Sequence, residues 1–170
     1  NTTSIIIPDG VTSIGDNAFS GCSSITSIII PDGVTSIGDY AFSGCSSITS
    51  IIIPDSIISI GSNAFNNCTN LIYNKYDNAY YLGNENNPFI ALVDTNNDDI
   101  TDCEIHQDTR IIADNAFSAC NLLTTITIPT FVTSIGNYAF AWCDSLTSIE
   151  VDENNEYYCS IDGNLYNKDV

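Results

Sequence analysis

Residues 5–27 read IIIPDGVTSIGDNAFSGCSSITS, and residues 28–50 repeat them with one change, Tyr40 in place of Asn17. A third copy, IIIPDSIISIGSNAFNNCTNLIY, fills 51–73. Two more, CEIHQDTRIIADNAFSACNLLTT and ITIPTFVTSIGNYAFAWCDSLTS, fill 103–125 and 126–148. A fixed 23-residue period constrains the fold more than any local propensity, because a unit that recurs at constant length packs on its own neighbours. Residues 74–102 keep no such pattern and read as an irregular coil with a hairpin, while 149–170 read as a degenerate final coil. The whole chain, 1–170, is thus expected to be a single repeat domain of about seven coils.

The apolar positions within one period predict its path. Cys22, Ile25, Ile28 and Ile30 follow a C-x-x-I-x-x-I-x-I spacing. A short strand there points Ile28 and Ile30 inward and Ser27 and Ile29 outward. Pro31 ends the strand because it has no N–H to donate. After an Asp32-Gly33 turn, Val34 and Ile37 face in along a second short segment, which Gly38 breaks. DYAFSGC, 39–45, reads as a helical turn with Asp39 at the N-cap and Ala41, Phe42 and Cys45 facing in. One coil buries too few side chains to offset the entropy of ordering it, so stacking must supply the rest. Near-identical copies follow from that need, since each must offer its neighbour the same surface.

The motif IPDGVTSIGDNAFSGCSSITSI resembles the BspA-like leucine-rich repeat, through its IP, V-T-S-I-G, A-F and Cys positions. The resemblance covers the five regular copies; 74–102 lacks both VTSIG and AF. It implies an α/β fold: a right-handed leucine-rich-repeat solenoid with a concave parallel β-ladder and with short strands and helical turns on the convex side. It also implies a secreted or cell-surface protein that binds host or extracellular-matrix proteins such as fibronectin, or other microbes.

Charge narrows the function. The chain carries 21 acidic and 3 basic residues, a net charge of −18. Such a surface repels phosphate, which argues against nucleic acid and anionic lipid as partners. No apolar run is long enough to insert in a membrane. The chain reads as a piece of a longer protein, since it stops inside a decaying repeat.

Cys22, Cys45, Cys68, Cys120 and Cys143 share one repeat position and are expected to form a buried ladder of free thiols, with Cys103 also in the core and Cys159 the most accessible. No metal site or cofactor is expected. DTNNDDITDCEI, 94–105, places Asp94, Asn96 and Asp98 like a calcium loop, but Asp99 and Ile105 stand where that loop needs Gly and Glu. His106, the lone histidine, reads as a solvated turn residue without a nucleophile beside it. Asp9, Asp32 and Asp55, and likewise Asp16 and Asp39, recur once per coil and read as solvated turn caps. Asn1-Thr2-Thr3 and Asn67-Cys68-Thr69 are glycosylation sequons.

Binding is expected on the outward positions of the strands: Ser27 and Ile29, Ser50 and Ile52, Tyr73 and Lys75, Glu104, Thr127 and Glu150, with Ser4, Ile6, Asp102, Thr125 and Ser148 in the same rows. Ile6, Ile29 and Ile52 make an apolar stripe that passes into acidic residues, which suits a protein ligand. The aromatic stretch 76–93 is expected to bulge from the stack as a hairpin. A second hairpin is expected at Asp162-Gly163. The readings that follow are a non-catalytic domain binding a protein through its concave face, a carbohydrate-binding module using its tyrosines, and a structural spacer.

Overall fold

A computed structural model describes residues 3–168, so the Asn1 sequon lies outside the described residues. The first three copies each give two short strands. β1 (Ser4–Ile6), β3 (Ser27–Ile29) and β5 (Ser50–Ile52) form one parallel row, and β2 (Ser13–Ile14), β4 (Ser36–Ile37) and β6 (Ser59–Ile60) form another. Each residue faces its equivalent one period away, Ile5 opposite Ile28 opposite Ile51. The irregular stretch supplies β7 (Asn74–Tyr76), β8 (Ala79–Leu82) and β9 (Ala91–Thr95). The last two copies supply β10 (Ile111–Ile112), β11 (Thr125–Ile128), β12 (Ser134–Ile135) and β13 (Ser148–Val151). β14 (Tyr158–Ile161) and β15 (Asn164–Asn167) pair antiparallel across the Asp162-Gly163 turn. The result is a parallel-strand β-solenoid of about six turns, not seven, because after Val151 the chain leaves the repeat path for this hairpin.

No α-helix occurs among the described residues, so the α/β class and the helical turns are corrected. An α-helix must return every N–H to the carbonyl four residues back. Here alternate donors go elsewhere. Ala18, Ser20 and Cys22 close tight turns onto Gly15, Asn17 and Phe19, while Asn17, Phe19 and Gly21 donate to Asp39, Ala41 and Ser43 of the next copy at 2.8, 2.7 and 2.7 Å. Two left-handed residues per turn, Asn17 (φ 57°) and Gly21 (φ 73°) in the first copy, hold that alternation.

Asp39 is not an N-cap either. Its Oδ1 accepts the N–H of Ser62 in the next copy at 2.8 Å, as Asp16 does for Asp39 and Asp114 for Asn137. These carboxylates tie coil to coil.

The core is a set of ladders. Phe42 lies stacked between Phe19 and Phe65, with ring centroids 5.3 and 5.7 Å away. Cys45, Cys68 and Cys143 each donate the thiol to the Phe carbonyl of the copy before, at 3.0–3.1 Å. Cys45, Cys68 and Cys120 are buried as expected, whereas Cys22 and Cys143 are only half-buried because few side chains cover the end copies.

The aromatic stretch does not bulge. β8 and β9 pair antiparallel, and β9 pairs parallel with β10. Tyr81, Leu82, Ile90, Ala91 and Leu92 are all at most 2% exposed, so the insertion fills the interior. It also interrupts the turn row. Among the described residues the N–H groups of Asn63, Phe65 and Asn67 make none of the bonds to the next copy that Asn115, Phe117 and Ala119 make. A cavity of about 110 Å³, bordered by Phe65, Tyr73 and Val93, marks the break.

Candidate binding face

The strand row places alternate side chains on opposite sides. Ile28, Ile30, Ile51 and Ile53 go into the core, and Ile6, Ile29 and Ile52 remain 88%, 68% and 48% exposed in adjacent strands. Ser27, Ser50, Lys75, Glu104, Thr127 and Glu150 are exposed too, with Thr127 and Glu150 opposite each other in β11 and β13. Tyr73 departs from the expected face. Its ring packs at 5.5 Å from Tyr80 and borders the interior cavity, and burial pushes its hydroxyl well above the usual range. Ile72 beside it is 76% exposed, in the place of the exposed Thr26 and Thr49 of the earlier copies, and only Tyr73 departs from the register, where β7 pairs with β8 rather than with β5.

Beyond β7 the face deepens into a groove of about 780 Å³, bordered by Tyr76, Asp77, Asp102, Glu104, His106 and Asp152 among others. Four residues of the sequence-predicted rows, Asp102, Glu104, Thr125 and Thr127, lie in it. Tyr76 donates its hydroxyl to Glu104 Oε1 at 2.8 Å, a bond that also raises the tyrosine's pKa. The backbone N–H of Glu104 donates to Asp77 Oδ2 at 2.7 Å. The Asn154 N–H bonds Asp152 and holds that carboxyl below the usual range. His106 is no solvated turn residue: it stacks on Phe89 at 3.9 Å, meets Tyr76 edge-on at 4.8 Å, and its Nδ1 accepts the Asp108 N–H. Sequence reasoning missed this wall because Phe89 and Tyr76 belong to the irregular stretch, where the period gives no register.

The remaining candidates are scattered. Asp94 Oδ1 accepts the Thr95 N–H, Asn96 bonds Asn78, and no group of three His, Cys, Asp or Glu among the described residues is arranged to hold a metal. Burial raises the thiol of Cys68 to about 11 and of Cys103 to about 12. Thiolate, not thiol, attacks disulfide reagents. At mildly alkaline pH, the buried Cys45, Cys68, Cys103 and Cys120 of the native chain will therefore resist a water-soluble aromatic disulfide, and all will react in concentrated guanidinium. A quantitative thiol titration checks this.

A family model described as "BspA type Leucine rich repeat region" matches residues 1–86 and 95–164, in six copies. No curated protein matches. Among solved structures, the chain is similar to a T. pallidum leucine-rich repeat protein (26% identity over 86% of this chain and 57% of that one, TM-score 0.46). It is similar to the pneumococcal vaccine antigen PcpA (27% identity, 98% and 35%, TM-score 0.46). A leucine rich cell surface protein of Faecalibacterium prausnitzii is also similar (34% identity, 98% and 43%, TM-score 0.45). The chain spans only about a third to just over half of the length of these proteins.

Proposed function

The chain belongs to the BspA type leucine-rich repeat family, and from that premise we propose that it is a non-catalytic, secreted or cell-surface domain that binds a host or matrix protein through its strand face. Leucine-rich repeats generally serve protein–protein interaction. The observation that carries the reading is the in-register stripe of Ile6, Ile29 and Ile52. Nothing in the fold of one copy needs these side chains, which take no part in its core, and contiguous exposed apolar rows mark contact surfaces. Among the described residues no helix is long and apolar enough to cross a membrane.

The test is an array of matrix proteins and glycans probed with the purified chain. Ile29→Asp with Ile52→Asp should weaken matrix-protein binding by at least about tenfold with stability nearly unchanged, since both positions are exposed. Full binding by that variant, or no matrix-protein signal for the parent chain, contradicts the reading. A glycan signal would instead point to the most exposed of the described aromatics, Tyr138 and Trp142, 70% and 68% exposed. Tyr81 is enclosed and cannot serve.

A further inference from the structure

Every ladder of the solenoid stops at the same place, and we infer that the chain is two separately cooperative blocks, residues 3–73 and 74–168, which open at the seam between them without either block unfolding.

In the turn row, hydrogen bonds run in columns from copy to copy. Phe19 donates to the Ala41 carbonyl and Phe42 to the Ala64 carbonyl at 2.7 and 2.8 Å, and Phe117 donates to the Ala139 carbonyl at 2.8 Å. Among the described residues no such bond links Phe65 to Ala116, and the columns through Asn63 and Asn67 stop likewise. The ring ladder breaks with them. Phe65 stacks on Phe42 and Phe117 on Phe140, but no ring pair joins Phe65 to Phe117 among the described residues. The thiol column is interrupted too: Cys45, Cys68 and Cys143 reach the Phe carbonyl of the copy before, whereas Cys120 meets Thr95 Oγ1 of β9 at 3.6 Å. Both strand rows of the first three copies also end here. β1, β3 and β5 form one sheet and β2, β4 and β6 another, while β7 to β10 and β12 form a sheet of their own.

What crosses the seam is sparse and irregular. The Ile53 N–H donates to the Gly83 carbonyl at 2.9 Å and the Asp114 N–H to the Ile60 carbonyl at 3.0 Å. Asn115 Nδ2 donates to Ser62 Oγ at 2.8 Å, and Arg110 and Asn84 both reach Asp55 Oδ1 at 3.2 Å. The Arg110–Asp55 pair is largely in solvent and holds weakly. Apolar contact crosses as well, but the cavity of about 110 Å³ between Phe65 and Ala113 interrupts it. Such contact is non-directional and yields to a small rotation. In a stack where each coil touches only its neighbours, stability is a sum of coil and interface contributions, so the poorest interface divides the stack.

The seam also divides the strand face. Ile6, Ile29 and Ile52 belong to the first block, and Thr127 and Glu150 to the second. Opening therefore changes the spacing between the two parts of that face, whatever it binds.

Native-state hydrogen exchange of the intact chain, read amide by amide by NMR, tests this. The Ile53 and Asp114 amides, bonded across the seam, should exchange at least about tenfold faster than those of Gly61 and Gly136, which bond Ile37 and Ile112 within a block at 2.8 Å. Ile53 is fully buried, so fraying at the surface does not account for such a difference. Gly38→Ala, in the first block, should speed exchange at Phe19 and Phe42 by at least about tenfold and leave Phe117 within about twofold. Phe140→Ala, in the second block, should do the reverse. If Gly38→Ala unfolds the first block outright, the Phe117 amide should still be protected. Seam amides as slow as Gly61 and Gly136, a variant that speeds both blocks equally, or loss of protection throughout the chain in Gly38→Ala overturns the inference.

Discussion

Gly38→Ala destabilises the fold by about 3 kcal/mol or more, while Gly15→Ala, the same substitution one copy earlier, changes stability by less than about 1 kcal/mol. The two glycines occupy the same place in VTSIG. A Cβ on Gly38 would lie 2.6 Å from the backbone N of Asp16 and 2.8 Å from the carbonyl carbon of Gly15. On Gly61 it would meet the corresponding atoms of Asp39 and Gly38 at 2.7 and 2.8 Å. Backbone cannot turn aside as a flexible side chain can, so the methyl must push two coils apart. At Gly15 nothing lies within 4 Å. The difference comes from stacking alone, since the local sequence is shared. The fourth copy carries Ala113 at this position, where its N–H bonds Leu92 of the inserted β9 at 2.9 Å. Alanine is thus tolerated where the neighbour beneath is the insertion rather than another regular copy. Urea unfolding of the two variants beside the parent chain measures the effect. Equal loss in both would assign it to backbone flexibility instead of to coil contact.

Phe42→Ala has the second large effect, about 4 kcal/mol, and Phe140→Ala costs about half of that. Phe42 is fully buried, with Phe19 stacked on one face and Phe65 on the other at interplanar angles of 11° and 3°. Its removal leaves a cavity between two rings held by separate coils, and neither can move in without breaking its own turn. Phe140 stacks on Phe117 alone, at 5.3 Å, and is half-buried. The same residue at the same motif position therefore contributes according to how many coils flank it. Thermal or urea unfolding of both variants checks the ratio, and a Phe140→Ala loss as large as that of Phe42→Ala contradicts it.

How much of this was legible in the sequence varies along the chain. In the regular copies the period gave register, the inward isoleucines and the thiol column, because packing against an identical neighbour leaves one consistent solution. It did not give the turn conformation. DNAFSGC carries helix-like apolar spacing, and only the donors sent to the next copy decide against a helix; those bonds are invisible in a single period. One further signal was present and unread. Asp16, Asp39 and Asp114 sit where the next copy's N–H is waiting, and the copies whose turn rows are not followed carry Ser62 and Asn137 instead. After Ser62 the corresponding backbone N–H, that of Asp114, bonds the Ile60 carbonyl instead, and Ser62 Oγ accepts from the Asn115 side chain. At the candidate site the stripe and Glu104 were readable from alternation. Tyr73, His106 and the groove wall were not, since β7 to β9 obey antiparallel pairing rather than the repeat, and strand direction leaves no mark in a 29-residue stretch without periodicity.

The account as a whole holds that order resides between coils and not within one. Circular dichroism of a synthetic peptide of residues 28–50 beside the intact chain tests this most directly. The peptide should be unordered at every concentration at which it stays monomeric, and the intact chain should show strand signal lost cooperatively on heating. A monomeric peptide with the intact chain's spectrum would contradict it.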